Sequence, residues 1–316
     1  YTEATLQNGI MDYIKNNLGY TEILTNQLNQ DLLIIPSSLK EYLLETQKKE
    51  FKTVCKKDYK NNERECMDAL IHAISEFVYK EFNIAIQMNS KLSKFQFHNV
   101  VFELFSAYEN EEDDKNIYNV IRECTIRYKS IYGKHDEYQT RHPDIVTFVN
   151  GIYFAPLEIK SNGVLIGSQT AKKDGRGQIA RNVIDAISYA YLPDEDDNSF
   201  KELKAYNSPV FHLTMDEKDG YVLRGLHEKF NSLVKDVKED KDTNAMDEIL
   251  NIFYQDGIAR RESIPGLDGI TPSDFRKRFL FTYLSKESVQ KEILYFNTLE
   301  KENNAWKLIA PRPIQL

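Results

Sequence analysis

The sequence has little of what several function classes require. Its three cysteines, Cys55, Cys66 and Cys124, are odd in number and widely spaced, with no CxxC pair and no histidines at zinc spacing. That pattern argues against a disulfide framework or a structural zinc site and points to reduced, structural thiols. No apolar run approaches the length that spans a bilayer, and the opening YTEATLQNG has neither a basic region nor an apolar signal core. A cytoplasmic protein without membrane contact is expected. The histidines at 72, 98, 135, 142, 212 and 227 form no HxxxH and no visible pair with a cysteine, which weakens zinc-hydrolase and papain-like chemistry. GxSxG, the Rossmann fingerprint and GxxxxGK[ST] are missing as well. Positive charge is short too: 41 basic against 49 acidic residues give a net charge of −8, unlike a general nucleic-acid binder.

What is present is a chain of 316 residues with 41% hydrophobic content, enough for a sizeable core in one large domain or two ordinary ones. Charge is unevenly spread. Acidic clusters at 109–114 and 194–197 lie in loop-like stretches, whereas KKDGRGQIAR (172–181) is locally basic. Lys172, Lys173, Arg176 and Arg181 there are candidates for phosphate contacts.

The most informative stretch is HPDIVTFVNGIYFAPLEIK, residues 142–160. Two apolar runs rich in β-branched and aromatic residues flank Asn150-Gly151, the dipeptide that most favours a tight hairpin turn. Glu158 and Lys160 project from the same face of the second strand. Whether Asp144 joins them depends on register. A two-residue loop pairs Val149 with Ile152 and sets Asp144 opposite Leu157, turning Glu158 to the other face. One extra residue, at Gly151 or at Pro156, which cannot donate to a ladder, brings Asp144 opposite Glu158. An irregularity between 150 and 157 is therefore expected.

Two carboxylates at the ends of buried-looking strands repel each other unless a cation lies between them, and hard oxygen ligands with room for water favour Mg²⁺ or Mn²⁺. Such an ion, with Lys160, can acidify and orient a water for attack on phosphorus and neutralise charge on the phosphoryl oxygens. An ordinary exposed strand face with Asp144 capping a turn would account for the same three residues. His142, two residues before Asp144, can share its face.

Pro143-Asp144 followed by Glu158-Ile159-Lys160 resembles the PD-(D/E)xK nuclease signature. More narrowly, PDIVTFVNGIYFAPLEIKSN resembles the nuclease segment of the motor (R) subunit of type I restriction enzymes, and the longer string is the more specific match. The resemblance implies an α/β restriction-endonuclease-like mixed sheet flanked by helices. It implies Asp144 and Glu158 as Mg²⁺ ligands and Lys160 as the residue that orients or activates water. TEATL looks like the family's opening Ser/Thr-Glu-x-x-Leu, whose glutamate lies near the metal site, which makes Glu3 a third candidate ligand. On the residues alone Glu3 complements the dipole of its helix. Gln178 matches a glutamine the family carries on a following helix, but Asn182 stands where the family has tyrosine, so that tyrosine's role has no bearer here.

Along the chain, Leu6, Ile10, Ile14 and Leu18 at helical spacing predict an amphipathic helix over 3–18 with Thr2 as N-cap. DLLIIPSSLKEYLLETQ reads as a short strand passing through Pro36 into a helix, and a second helix spans 63–82 with Met67, Leu70, Ile71, Ile74 and Val78 in one stripe. The stretch 37–83 resembles the helical insert of R subunits. QFHNVVFELFSAY and NIYNVIRECTIRY read as two strands, the second beside the hairpin. A helix over 176–191 would direct its N-terminus, Gln178 and Arg181 at DNA phosphates. SPVFHLTMDEKDGYVLRGL contains one or two strands around a Lys-Asp-Gly turn.

The reading is a nuclease domain over 1–227 and a helical linker over 228–316. KLIAPRPIQL resembles the entry to a helicase-like motor that these residues do not include, and a missing first methionine suggests a piece of a longer chain. By resemblance the partners are double-stranded DNA and the methyltransferase and specificity subunits, and ATP is used only by the motor. A stand-alone nuclease of repair or phage origin, or a catalytically silent docking domain, remain the alternatives.

Overall fold

The computed structural model describes residues 2–78, 94–129, 138–159, 212–215, 220–223, 259–261, 272–296, 298–302 and 305–309. The strands in chain order are β1 (Thr21–Glu22), β2 (Lys94–Phe97), β3 (Val100–Glu103), β4 (Tyr118–Arg122), β5 (Ile126–Lys129), β6 (Tyr138–Arg141) and β7 (Ile145–Val149). They continue with β8 (Ile152–Ile159), β9 (His212–Met215), β10 (Gly220–Leu223), β11 (Ala259–Arg261), β12 (Thr298–Glu302) and β13 (Ala305–Ile309). The α-helices are α1 (Glu3–Asn16), α2 (Pro36–Thr46), α3 (Lys48–Asp58), α4 (Glu63–Phe77), α5 (Pro272–Leu284) and α6 (Lys286–Lys291).

The fold is mixed α/β. Its main sheet runs β1-β4-β7-β8-β9-β10-β11. The central strands β4, β7, β8 and β9 pair antiparallel, antiparallel and parallel in turn. Both faces of β7 are fully buried, which is why its sequence is an unbroken apolar and β-branched run. One face carries Val120, Ile145, Val149, Leu157 and Ile159 into a large core shared with α1, α2, α3, α4 and α5. The other face carries Ile121, Val146, Phe148 and Tyr153 against Leu28, Leu33 and Ile35.

α1 begins where its sequence specifies: the Thr2 hydroxyl accepts the Thr5 N–H at 3.3 Å, and Leu6, Ile10 and Ile14 are buried. Asn17 caps it, and Gly19 at φ +74° turns the chain into β1. α2 starts with Pro36 at its first turn, so the LLII stretch before it is no strand; Ile34 makes only isolated bridges, to Asn29 and to Ile152. The stripe expected on α4 is buried in full. QFHNVVFE, read as one strand, is a hairpin: β2 pairs with β3 and His98 turns the chain at φ +52°. NIYNVIRECTIRY breaks after Arg122 into β4 and β5, and β4 is the neighbour of the hairpin strand β7. β9 and β10 pair antiparallel on either side of the expected Lys-Asp-Gly turn, whose Lys218 and Asp219 lie outside the described residues.

Phe275, Phe279 and Tyr283 of α5 pack into the same core as α1, and the Gln290 amide bonds both the N–H and the C=O of Tyr108, at 2.8 and 2.9 Å. The cysteines are free and buried, and burial pushes the Cys66 and Cys124 thiols up to about 12, so neither is a nucleophile at neutral pH. Among the described residues no helix is long and apolar enough to cross a membrane.

The turn between β7 and β8 is tied down from within. Asn150 is fully buried at φ +51°: its Oδ1 accepts the Ile117 N–H at 2.7 Å, and its Nδ2 donates to Leu104 O and Asn116 Oδ1, both at 2.9 Å. Alanine at 150 strands these buried partners and keeps the unfavourable φ, so Asn150→Ala is expected to destabilise by about 3 kcal/mol. Urea denaturation reads this as a lower midpoint at unchanged slope.

Candidate active site

The site's geometry comes from one misfit in the hairpin. Val149 pairs with Ile152 and Phe148 with Tyr153, the register of a two-residue turn. Thr147 then pairs with Ala155, which leaves Phe154 as an extra residue on β8. Beyond it Val146 pairs with Pro156 and Ile145 with Leu157, so the next position along sets Asp144 across from Glu158. The irregularity falls inside the expected interval, at Phe154 instead of Gly151 or Pro156. Phe154 and Ala155 both join the core on the α1 side, and the residues after them change phase. Glu158 thereby shares the sheet face of Val146 and Phe148 with Asp144. Both carboxylate residues are half-buried.

Asp144 is held firmly. Its Oδ2 accepts the backbone N–H of Ile159 at 2.6 Å, a charge-assisted bond across the strand pair. Its carbonyl accepts the Glu123 N–H at 2.8 Å and the Gln7 side-chain amide at 3.2 Å, while the Pro143 carbonyl accepts the Cys124 N–H at 3.1 Å. Glu3 lies exposed in the first turn of α1. His142 is exposed, its Nδ1 3.3 Å from the Thr125 hydroxyl. Among the described residues no three His, Cys, Asp or Glu side chains form a group able to hold a metal ion. Lys160, Lys172, Lys173, Arg176, Gln178, Arg181 and Asn182 lie outside the described residues.

Two residues near the site escape a sequence reading. Gln7 sits one turn after Glu3 on α1, and its Nε2 donates to Glu123 Oε1 at 2.8 Å as well as to Asp144 O. Glu123 has φ +48°, uncommon for a residue with a Cβ. The only sequence signal is the polar Arg122-Glu123 step that interrupts NVIRECTI.

A family model described as the type I restriction enzyme R protein N terminus matches residues 1–228. The chain belongs to that family. The matched span takes in α1, β4, the β7–β8 hairpin and the Glu158-Ile159-Lys160 segment. No curated protein sequence matches the chain. In this R-protein N terminus, the half-buried Asp144 and Glu158 are the carboxylates that the hairpin register brings to one face.

Proposed function

We propose that this R-protein N terminus is a Mg²⁺-dependent endodeoxyribonuclease domain with a PD-(D/E)xK sheet. It hydrolyses phosphodiester bonds of double-stranded DNA inside a type I restriction complex. The observation that carries this reading is the extra residue at Phe154, which turns Glu158 to the face of Asp144. Two half-buried carboxylates brought across from each other on one sheet face supply the hard oxygen donors that a divalent cation takes.

The two candidate ligands fit a hard divalent cation, because both offer carboxylate oxygens. Asp144 and Glu158 would hold it, with Glu3 the third candidate, and Mn²⁺ would substitute. When bound, the ion supplies Lewis-acid stabilisation of the phosphoryl oxygens and lowers the pKa of an attacking water. Asp144 contributes a carboxylate whose rotation is fixed by the Ile159 N–H. Lys160, two residues beyond Glu158, orients that water and steadies the charge that develops. Gln178 positions the DNA backbone or the lysine, and Lys172, Lys173, Arg176 and Arg181 contact phosphates without reading bases. Site choice belongs to the specificity subunit, methylation to its companion, and ATP to the motor.

The test is plasmid cleavage by the full-length subunit assembled with its methyltransferase and specificity partners. Asp144→Asn and Glu158→Gln are expected to abolish cutting while ATP hydrolysis continues. Cutting at the unaltered rate would overturn the reading.

A further inference from the structure

Asp144 is gripped on two sides by elements far apart in sequence. On one side its carboxylate meets the Ile159 N–H of β8. On the other its carbonyl receives two donors, the Glu123 N–H and the Gln7 Nε2, the latter from 137 residues away on α1. The same Gln7 nitrogen donates to Glu123 Oε1. Both of its partners are oxygens that only accept, so the NH₂ end of the amide faces them. Glu123 is in the left-handed region at φ +48°, which turns the chain out of β4 so that consecutive N–H groups, those of Glu123 and Cys124, face the Asp144 and Pro143 carbonyls. Gln7 therefore bridges the strained residue and the backbone of the candidate ligand.

We infer that Gln7 is a positioning residue for Asp144, with the Glu123 carboxylate as the anchor that keeps its amide aimed. The inference rests on the reading of Asp144 as a metal ligand. Gln7 acts through Asp144: with the carbonyl held from α1 and the carboxylate held from β8, the side chain keeps one orientation toward Glu158. Displacements of about 1 Å in such a site are worth on the order of 100-fold in rate.

A plain tie between α1 and the sheet is the competing explanation, and α1 has one next door. Asn8 Oδ1 accepts from Arg122 Nη1 at 2.6 Å, joining α1 to β4 without touching Asp144. Asn8→Ala is thus the control for helix docking. Gln7→Glu keeps the shape and loses the donor. Gln7→Lys restores a donor to both oxygens.

Two quantities are measured on the four proteins: hydrogen exchange of the Ile159 amide by NMR, and Mn²⁺ affinity by calorimetry. Gln7→Glu is expected to speed Ile159 exchange at least tenfold and to weaken Mn²⁺ binding by a similar factor. The added negative charge would by itself strengthen binding, so weakening reports lost geometry. Gln7→Lys is expected to recover most of the exchange protection, and Asn8→Ala to leave both quantities unchanged. Ile159 exchange that is unchanged in Gln7→Glu, or equally fast in Asn8→Ala, overturns the inference whatever the metal does. Failure of the unaltered protein to bind Mn²⁺ strikes the metal reading instead, while the exchange result still decides whether Gln7 holds Asp144.

Discussion

Gly151→Ala is expected to destabilise the protein by at least about 3 kcal/mol, from a steric clash and an unfavourable φ acting together. Gly151 has φ +77°, and a Cβ there would lie 2.5 Å from the Ile35 carbonyl oxygen and 2.9 Å from the Leu39 nitrogen. Neither neighbour is the free end of a flexible side chain. The Ile35 N–H donates to Gly151 O at 2.9 Å, and the Leu39 N–H closes the first turn of α2 on Ile35 O. Relieving the overlap therefore means backing α2 off the hairpin and breaking that contact. Urea denaturation monitored by circular dichroism measures the effect, and a loss below about 1 kcal/mol would show that α2 is not seated on the turn as described.

Asp144→Ala and Asp144→Asn are expected to reduce cleavage in the assembled enzyme by about 1,000-fold or more, equivalent to about 4 kcal/mol of transition-state stabilisation. The two variants separate the two jobs of the carboxylate. Alanine removes the charge and the acceptor for the Ile159 N–H, and Ile159 is fully buried, so a stranded donor costs about 1–3 kcal/mol. Asparagine keeps an acceptor oxygen in the same place and removes only the charge. The asparagine variant should be more stable than the alanine variant, and neither should cut. Equal loss of stability in both, or cleavage by the asparagine variant, would separate Asp144 from the chemistry.

Local chemistry made part of this architecture readable. Asn150-Gly151 between β-branched runs specifies the hairpin, and Thr2 with the Leu6, Ile10, Ile14 spacing specifies α1. The need for an extra residue in β8 followed from the charges alone, because Glu158 otherwise faces away from Asp144. Its location was hidden because IYFAPLEI is apolar almost throughout, and an apolar residue is content on either face of a sheet buried on both. The β2–β3 hairpin was hidden because its turn uses His98 and Asn99 with no glycine to mark it. Long-range partnerships leave no periodicity. The Gln7 contact with Asp144, the parallel pairing of β8 with β9 and the joining of α5 to the core of α1 are set by tertiary packing that no local window contains.

The most direct test of the proposed metal site is Mn²⁺ titration by calorimetry of this 316-residue chain beside Asp144→Ala and Glu158→Ala, each checked for folding by circular dichroism. Saturable binding by the unaltered protein that either substitution abolishes is the predicted result. A folded protein that takes up no Mn²⁺, or binding indifferent to both changes, would contradict it and leave the two carboxylates as an ordinary strand-end pair.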